Sequence, residues 1–340
     1  MTEIRRQRKI EHIENYLRSF RDNNPLFEDV YIEHNALGDI NFDEIDTSVE
    51  FLGRKLSFPL MIDAMTGGST VSSDINEDLS NICYEFKIPM AVGSQSIALE
   101  DENAKESFEI VKEQCFSKFP IIGNLGANAS VDDLKKASDM IDASAMQIHL
   151  NIAQELVMPE GDRNFKGYKD NIRKLKESYD KDIIIKEVGF GINKITAEKL
   201  KDIGIKYIDV AGFGGTNFIE IEDMRNFEID YSDLYQWGIP TAKSIIDVRS
   251  VSDDFFIIAS GGVSGAMDIV KSIVLGANMC AMSGEVLSYL LRGGYDYTVS
   301  FLNGVIQKTK VIMALLGAKN IEELRQVDYK LTGKLKDICG

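Results

Sequence analysis

Eight short apolar runs recur at fairly regular intervals, and they constrain the fold more than any other feature of the chain. They cover residues 59–64, 89–92, 120–123, 145–148, 183–186, 207–210, 255–259 and 279–282. Polar segments with helical periodicity lie between most of them, as in 131–140, 168–179, 196–202 and 266–275. Strands that alternate with helices imply a parallel sheet, and eight such units imply a closed (β/α)8 TIM barrel of the α/β class. A doubly wound open sheet is the alternative.

This pattern predicts a single domain over residues 1–340. An N-terminal helical arm and lead-in cover 1–55, the barrel covers 56–290, and additional helices cover 291–340. The segment 219–238 is a longer insertion between the sixth and seventh strands, which we interpret as a lid or an oligomer contact. No internal repeat or low-complexity segment interrupts the pattern.

The composition argues against several classes of partner. Hydrophobic residues make up 44% of the chain and charged residues 27%, as is ordinary for a soluble globular protein, and no run approaches the roughly 20 apolar residues needed to span a bilayer. The formal net charge of −16 argues against nucleic acid and acidic membranes. The four cysteines lack CxxC spacing, and no apolar region follows the basic first residues. We therefore expect reduced thiols, no signal peptide and a cytoplasmic protein.

Glycines and hydrogen-bonding residues gather where the predicted strands end. After the seventh and eighth strands the chain reads Ser260-Gly261-Gly262-Val263-Ser264 and Ser283-Gly284. Exposed backbone amides at these positions of a TIM barrel commonly hold a phosphate. Earlier strand ends carry a ring of polar side chains that suits a flat heteroaromatic ligand with a phosphate tail, as FMN would be. This ring consists of Thr66, Ser94, Asn124, Lys186 and Thr216.

Lys186 closes the fifth apolar run and has three possible roles. It could form a Schiff base, offset negative charge on a reduced flavin, or form a structural ion pair with Glu187 or another carboxylate. The sequence leaves the three open.

The densest polar cluster follows the fourth run. His149, Asn151, Gln154 and Glu155 lie within seven residues, directly after the apolar segment 144–148. On a strand, His149 and Asn151 share a face, and a helix after Asn151 would bring Gln154 and Glu155 back over the strand end. Because parallel α/β folds place their chemistry at strand tips, this segment predicts an active site.

A cationic cluster lies near the start of this acidic chain, with Arg5, Arg6, Arg8 and Lys9 close together. Positive charge at a helix N-terminus interacts unfavourably with the helix dipole, so the cluster does not stabilise this helix and its position needs another explanation. Arg8 and His12 are four residues apart, opposite the apolar stripe of the predicted helix, where they can meet either an anion or water.

Ordered motifs from about Arg8 to Leu290 resemble the type 2 isopentenyl-diphosphate isomerase family. The motifs are Arg8-Lys9-Ile10-Glu11-His12, Met65-Thr66-Gly67-Gly68, Gly93-Ser94-Gln95, Asn124-Leu125-Gly126, His149-Leu150-Asn151 with Gln154-Glu155, Lys186-Glu187-Val188-Gly189, Gly214-Gly215-Thr216-Asn217-Phe218 and Ser260-Gly261-Gly262. The His-Leu-Asn and Gln-Glu element, with Met158-Pro159-Glu160-Gly161-Asp162-Arg163 behind it, is highly specific. The glycine pairs alone would not be specific to a family.

The resemblance implies an isomerase that binds FMN, requires Mg²⁺ and needs its flavin reduced, usually by NADPH, although the net reaction is redox-neutral. In this reaction a double bond moves between isopentenyl and dimethylallyl diphosphate, in isoprenoid biosynthesis. The resemblance also implies a small-molecule diphosphate substrate and a homo-oligomer, either a tetramer or an octamer.

The same resemblance assigns roles to individual residues. Glu155 holds Mg²⁺ against the diphosphate, since a hard cation prefers carboxylate and phosphate oxygens. The implied catalytic residues are Gln154, which supports the proton transfer, together with His149, Asn151 and Lys186. The implied substrate contacts are Arg8, Lys9, His12, Ser94 and Gln154. The implied FMN contacts are Met65, Thr66, Gly67, Ser94, Asn124, Lys186 and Thr216, together with the backbones of Gly262, Val263, Ser264, Ala281 and Met282.

The chain departs from the family pattern at three places. Ser96 and Ser264 stand where the family commonly has arginine, and Ala211-Gly212-Phe213 replaces a Ser-Gly-Arg element. Three cationic or hydroxyl contacts to phosphate are therefore absent. We expect this loss to affect ligand affinity more than the reaction.

The nearest alternative is an FMN-dependent oxidoreductase of the 2-hydroxy-acid oxidase type. That chemistry needs a histidine base and an arginine late in the barrel, whereas the histidines here are His12, His34 and His149. Nucleotide dehydrogenase barrels need a cysteine on the loop after the sixth strand, and 214–221 contains none. A non-catalytic flavin carrier would not call for Gln154 and Glu155 beside a cationic arm.

Overall fold

The computed structural model describes residues 2–19, 23–115, 119–226 and 228–340. Its centre is a closed barrel of eight parallel strands that follow one another in chain order, with the last paired to the first. The barrel strands are β4 (Leu60–Ile62), β5 (Met90–Ala91), β6 (Ile121–Gly126), β7 (Ala145–Leu150), β8 (Asp182–Glu187), β9 (Tyr207–Asp209), β10 (Phe256–Ala259) and β11 (Met279–Met282). This confirms the predicted TIM barrel and excludes the open sheet.

Each predicted apolar run overlaps one barrel strand, but three strands, β6, β7 and β8, continue beyond their runs. β6 extends to Gly126 and β7 to Leu150, and these extensions pair in register, Asn124 beside Gln147 and Gly126 beside His149. Polar residues that the sequence places at strand tips therefore lie on strands. A strand fixes the direction of a side chain better than a loop does, which matters for the site described below.

Helices surround the barrel. They are α1 (Thr2–Arg18), α2 (Thr70–Phe86), α3 (Ser96–Glu100), α4 (Glu106–Cys115), α5 (Val131–Ile141), α6 (Ile152–Val157), α7 (Tyr168–Ser178), α8 (Lys194–Asp202), α9 (Phe218–Asp223), α10 (Thr241–Arg249), α11 (Ala266–Val274), α12 (Gly284–Leu316), α13 (Ile321–Arg325) and α14 (Gly333–Cys339). Several begin at a side-chain cap, as in α5, where Ser130 and Asp133 form a reciprocal capping box. Each of these caps satisfies backbone donors that the first turn leaves unpaired.

A β-hairpin closes the amino-terminal end of the barrel. It consists of β2 (Val49–Phe51) and β3 (Arg54–Leu56), and its Phe51 and Leu56 pack with inward-facing barrel residues. The ring of Phe51 lies 5.9 Å from that of Tyr207, which begins β9, and 5.2 Å from that of Phe256, which begins β10. With this end filled, a ligand can enter only from the carboxyl ends of the strands.

The C-terminal part of the chain packs outside the barrel. β12 (Tyr329–Leu331) pairs with β1 (Val30–Ile32), which ties the end of the chain to the lead-in. By length and composition alone, α12 is the one described helix that could cross a membrane, with an 18-residue window of mean hydropathy 1.3 that is 22% buried. The expectation that no segment is apolar enough to span a bilayer is therefore wrong by this measure. α12 packs on α2 and α11 and bends at Gly294. One helix of this kind is weak evidence of a membrane segment.

Candidate active site

A cavity of about 910 Å³ opens at the carboxyl ends of the barrel strands. It is bounded by α1, by the strand-end loops and by the insertion. The predicted site residues that line it are Arg8, Lys9, His12, Met65, Ser94, Asn124, His149, Asn151, Gln154, Glu155, Lys186, Thr216, Gly262, Val263, Ser264 and Ala281. Residues from the N-terminal arm and from all eight strand ends thus meet at one place.

Three predicted FMN contacts, Thr66, Gly67 and Met282, lie behind the cavity wall. The Thr66 side chain is buried, with its Oγ1 2.7 Å from Oγ of Ser72. Gly67 makes room for Phe108, because a Cβ there would lie 2.1 Å from the ring. Met282 belongs to the buried core. Among these three, no side chain reaches the cavity.

Two glycine-rich loops form one end of the cavity. Gly262, after β10, has a φ of 78°, and a Cβ there would lie 2.3 Å from the carbonyl oxygen of Gly214 after β9. A Cβ on Gly215 would likewise lie 2.7 Å from the nitrogen of Gly262. Only glycine permits this close approach. The interlocked loops present backbone groups near the start of α11, as a phosphate requires.

Ser264 is already hydrogen-bonded within this loop. Its backbone N–H and its hydroxyl both donate to Oδ2 of Asp268, at 2.9 Å each. The backbone N–H of Ser264, which the resemblance assigns to FMN, therefore already donates to a carboxylate. Ser96 and Ala211 also line the cavity with short side chains, while Phe213 is buried outside its lining. The wall is thus without cations at the positions where the family pattern has them.

Lys186 is buried between two carboxylates at the floor of the cavity. Its Nζ donates to Oδ2 of Asp63 at 2.6 Å and to Oδ2 of Asp209 at 3.1 Å. Burial lowers the pKa of Lys186, but the charges of Asp209 and Asp63 raise it more, so the pKa lies above its ordinary value. A protonated amine is not a nucleophile, so the Schiff-base role is disfavoured. The ion-pair interpretation is confirmed, with Asp63 and Asp209 as partners in place of Glu187.

The pKa values of the two aspartates are shifted in opposite directions. Burial and the charge of Asp63 raise the pKa of Asp209, whose Oδ1 accepts from the Ser260 hydroxyl and the Ala211 N–H. Burial also raises the pKa of Asp63, but Lys186 and a hydrogen bond from Gln147 lower it below its ordinary value. Asp63 is therefore the more acidic of the two carboxylates that contact the lysine.

Glu187 supports the backbone beside this cluster. Its Oε2 accepts from the N–H groups of Val188, Gly189 and Phe190, at 2.6, 2.9 and 2.6 Å. Burial raises the pKa of Glu187 to about 7, although these hydrogen bonds act in the opposite direction. Glu187 thus holds the loop after β8 in place and leaves Lys186 to the aspartates.

His149 is connected to Asp63 through two amide side chains. Its Nδ1 lies 2.8 Å from Oδ1 of Asn124, whose Nδ2 donates to Oε1 of Gln147 at 2.9 Å. Nε2 of Gln147 then donates to Oδ1 of Asp63 at 2.8 Å. Burial and the positive charges of Lys186 and Lys9 lower the pKa of His149 to about 4, so its ring is neutral at physiological pH.

Gln154 is oriented by a buried carboxylate from the insertion. Its Nε2 donates to Oε1 of Glu222 at 2.9 Å, and Nε2 of His12 lies 2.8 Å from the same oxygen. Arg225 contacts the other oxygen of Glu222. Burial raises the pKa of Glu222, but His12, Gln154 and Arg225 lower it to about 2. The carboxylate is therefore ionised, and it joins the N-terminal arm to the predicted proton-transfer residue.

Glu155 lies half-buried at the cavity wall. Its Oε1 accepts from Nδ2 of Asn151 at 2.8 Å, and its Oε2 accepts from the backbone N–H of Asp162 at 2.7 Å. In the part of the chain that the structure describes, no group of three or more His, Cys, Asp or Glu residues is placed to hold a metal ion. A single carboxylate fits Mg²⁺, which keeps several waters and takes other ligands from phosphate.

The N-terminal arm lies across the cavity. Nζ of Lys9 donates to the carbonyl oxygen of Ser94 at 2.9 Å and lies 5.2 Å from the centre of the Phe108 ring. Arg8 is 3.5 Å from a carboxylate oxygen of Glu160. Ile13, from the apolar stripe of α1, lines the same cavity as Arg8 and His12 on the opposite face of the helix. Both faces of the helix meet the site because the arm crosses its opening.

Three functional residues were missed by sequence reasoning: Asp63, Asp209 and Glu222. Asp63 and Asp209 directly follow buried strand residues, so a carboxylate at the end of an apolar run is a signal that could have found them. Glu222 lies in the insertion that we interpreted as a lid or an oligomer contact. Its partners are His12 and Gln154, 210 and 68 residues away, so no local pattern indicates its role.

The fold and the site define an FMN-dependent TIM-barrel enzyme. A family model described as FMN-dependent dehydrogenase matches residues 10–117 and 127–330. The solved structures that share the fold include a mandelate oxidase mutant with the monooxide FMN adduct, at 15% identity and TM-score 0.65 over 95% of this chain and 92% of that one. A flavocytochrome b2 mutant with pyruvate bound has 18% identity and TM-score 0.68 over 97% of this chain and 80% of that one.

Curated relatives are more similar and cover nearly the whole chain. Isopentenyl-diphosphate delta-isomerase from Staphylococcus haemolyticus is 39% identical over 97% of this chain and 95% of the relative. The enzyme of the same name from a Geobacillus species is 41% identical over 97% of this chain and 94% of the relative. The chain belongs to the FMN-dependent, type 2 isopentenyl-diphosphate delta-isomerase family.

Proposed function

We propose that this chain is an isomerase that interconverts isopentenyl and dimethylallyl diphosphate by proton transfer at an allylic skeleton. The observation that carries the proposal is the Gln154–Glu222–His12 contact. It holds a neutral amide over the same cavity that contains the anion loops and the cationic arm. An oxidase would require a histidine base late in the barrel, and the last histidine of the chain is His149.

The arm supplies the diphosphate site in this proposal. Arg8, Lys9 and His12 all line the cavity, and Lys9 is already directed to the strand-end backbone at Ser94. Charge-assisted hydrogen bonds to phosphate are about twice as strong as neutral ones. This role explains a cationic helix start on an otherwise acidic chain.

Gln154 positions the proton transfer. Glu222 is ionised and can only accept, so Gln154 must turn its NH₂ group to Glu222 and leave Oε1 on the other side of the amide. An amide oxygen held in this way can accept a hydrogen bond and so orient the group that transfers the proton. Asn151 and His149 line the substrate side, and both are neutral.

The residues present fit FMN. The interlocked loops at Gly214 and Gly262 leave no room for side chains, as a phosphate cradle requires. Asn124, Thr216 and the protonated Lys186 line the adjacent cavity and would hold the ring system. Bound and reduced, by NADPH in this proposal, FMN would supply acid and base chemistry at its N5 atom.

Mg²⁺ would be held by Glu155 together with the diphosphate. The hydrogen bonds from Asn151 and from the Asp162 backbone fix the carboxylate, as outer partners of a metal ligand commonly do. The cation would neutralise phosphate charge that Arg8 and Lys9 alone leave uncompensated.

We also propose a cytoplasmic homo-oligomer, a tetramer or an octamer. The insertion supports this, because Trp237, Ile229 and Leu234 are 64%, 54% and 36% exposed. Leu234 and Trp237 adjoin each other, since the Trp237 N–H donates to the Leu234 carbonyl oxygen, and adjoining exposed apolar groups commonly mark protein contacts. Light scattering measures the molar mass of the purified protein and of a Trp237→Ser variant. A monomeric native protein at micromolar concentration would contradict the proposed oligomer.

The function is tested by an anaerobic assay with FMN, Mg²⁺, isopentenyl diphosphate and a catalytic amount of NADPH. We expect dimethylallyl diphosphate to accumulate well beyond the NADPH consumed. Consumption of NADPH in proportion to product would indicate an oxidoreductase and overturn the proposal. Bound FMN without any product would do the same.

A further inference from the structure

A continuous chain of hydrogen bonds runs from Asp63 to His149 through the wall of the barrel. Its links are Asp63 to Gln147 at 2.8 Å, Gln147 to Asn124 at 2.9 Å, and Asn124 to His149 at 2.8 Å. Asp63, Gln147 and Asn124 are 0%, 0% and 3% exposed. Water therefore cannot easily replace any of these partners, and each link must join a donor to an acceptor.

The charge of Asp63 sets the direction of every link. Lys186 has only donors and contacts Asp63 at 2.6 Å, so the carboxylate stays ionised and acts only as an acceptor. Gln147 must then offer Asp63 its NH₂ group and turn its carbonyl oxygen to Asn124. Asn124 must in turn offer its NH₂ group to Gln147, and its carbonyl oxygen remains for His149.

We propose that Asp63 is a positioning residue that fixes His149 in the tautomer with its proton on Nδ1 and its Nε2 lone pair free for a ligand. The Nδ1 atom faces the Asn124 oxygen and must donate to it. Among the described residues, Nε2 of His149 has no hydrogen-bond partner, and the ring lines the cavity. The burial and nearby cations that lower the pKa of His149 to about 4 keep the ring from taking a second proton.

This tautomer decides what His149 can do. Its Nε2 accepts a hydrogen bond from an N–H or O–H group of the bound ligand and cannot donate one. In the proposed isomerase, on which this step rests, His149 holds a ligand donor and does not protonate the substrate. The tautomer itself follows from contacts within the chain and does not depend on the reaction.

Substitution of Asp63 by asparagine reverses the direction of each hydrogen bond between residue 63 and His149. In the Asp63→Asn variant the new amide must turn its oxygen to Lys186, because Lys186 can only donate. Its NH₂ group then faces Gln147, which must turn its own oxygen toward it. Asn124 rotates in the same way and offers NH₂ to His149. The histidine proton is therefore expected to move from Nδ1 to Nε2.

The test is ¹⁵N NMR of histidine-labelled protein, purified with its flavin. The chain has three histidines, and loss of a signal in a His149→Gln variant assigns the ring of His149. We expect a protonated Nδ1 and an unprotonated Nε2 in the native chain, and the reverse pattern in Asp63→Asn. The matched control is Asp209→Asn, which removes the other carboxylate that contacts Lys186 but leaves the hydrogen bonds from Asp63 to His149 unchanged. His149 should therefore keep its proton on Nδ1 in this variant.

A native protein with its proton on Nε2, or with both nitrogens protonated at neutral pH, would overturn the proposal. An unchanged pattern in folded Asp63→Asn would also overturn it. If that variant does not fold, Asn124→Leu serves instead. Loss of the Asn124 amide breaks the hydrogen-bond connection to Asp63, so we expect a mixture of both His149 tautomers. A single tautomer with its proton on Nδ1 in this variant would contradict the role of Asp63. An inactive protein with the expected pattern would refute only the proposed function.

Discussion

Glu155 presents a single carboxylate to the cavity, and both of its oxygens accept one hydrogen bond from the chain. If Glu155 holds Mg²⁺, the negative charge of its carboxylate is what binds the cation. A Glu155→Gln substitution keeps the volume but removes the charge, and a contact to a charged group contributes roughly 1.5–3 kcal/mol. We expect the Mg²⁺ concentration for half-maximal activity to rise about tenfold or more.

The measurement is a Mg²⁺ titration of isomerase activity. The control is Glu160→Gln, because Glu160 is a neighbouring carboxylate that pairs with Arg8 and Arg225. Its Mg²⁺ requirement should stay near that of the native protein. An unchanged requirement in Glu155→Gln would remove the assigned metal role.

Glu222 does not line the open cavity, so it acts on the reaction through the two side chains that it contacts there, Gln154 and His12. A Glu222→Gln variant can donate as well as accept, so the Gln154 amide loses its fixed orientation. We expect kcat to fall about tenfold or more with a smaller change in KM, since positioned acid–base groups contribute roughly 10²–10⁴. Asp223→Asn, one residue further along α9, is the control and should keep its kcat. A kcat unaffected by the loss of Glu222 would disprove the orienting role.

Single residues were predictable where their type and spacing carry meaning. The His149 to Glu155 cluster follows an apolar run, and the structure brings all four polar side chains to one cavity. Asp63 was not predictable in this way. Its importance comes from Lys186, 123 residues away, and from Gln147, 84 residues away. Such contacts exist only after the barrel closes.

At the scale of elements, the two glycine loops depend on each other's shape. Gly262 has a φ of 78°, and a Cβ there would meet the backbone of Gly214. A non-glycine residue in this conformation costs roughly 1–3 kcal/mol. We therefore expect Gly262→Ala to weaken FMN binding about tenfold or more, as measured by quenching of flavin fluorescence.

Gly265 provides the matched control in the same loop. An added Cβ there meets nothing within 4 Å, and its φ of −166° is extended backbone that any residue adopts. Gly265→Ala should bind FMN like the native chain. Equal affinities for both variants would show that the loop does not contact the phosphate.

The arm helix α1 gives a prediction about substrate. Lys9 faces the cavity, while Arg18 ends the same helix and is exposed. Lys9→Ala should raise KM for isopentenyl diphosphate about tenfold with little change in kcat, because it removes one charge-assisted contact. Arg18→Ala should change neither value. A KM unaffected by Lys9→Ala would place the arm outside the substrate site.

The elements themselves were well predicted, because strand and helix periodicity is a local property. Each of the eight apolar runs overlaps one barrel strand. The ends were less predictable: β6 and β7 continue through Asn124 and His149, although those residues are polar. Their hydrogen bonds within the barrel wall offset the loss of solvation, and sequence periodicity does not contain that information.

At the scale of the whole molecule, Glu222 joins the N-terminal arm, the strand-end helix α6 and the insertion. Its pKa falls from 4.5 to about 2 in the folded chain. A carboxylate with a lowered pKa stabilises the fold above its unfolded value, and this stability is lost as the pH falls toward the folded value. From about pH 5 to about pH 3 the native chain should lose roughly 2 kcal/mol from this group.

Urea unfolding of the native chain and of Glu222→Gln at several pH values measures this contribution. The difference between their free energies of unfolding should narrow by roughly 2 kcal/mol between about pH 5 and about pH 3. Glu187, whose pKa is raised to about 7, acts with the opposite sign and destabilises the fold as the pH rises from 4.5 to 7. It is present in both proteins and cancels in the difference. A pH-independent difference would mean that Glu222 is not held as an ion by His12 and Arg225.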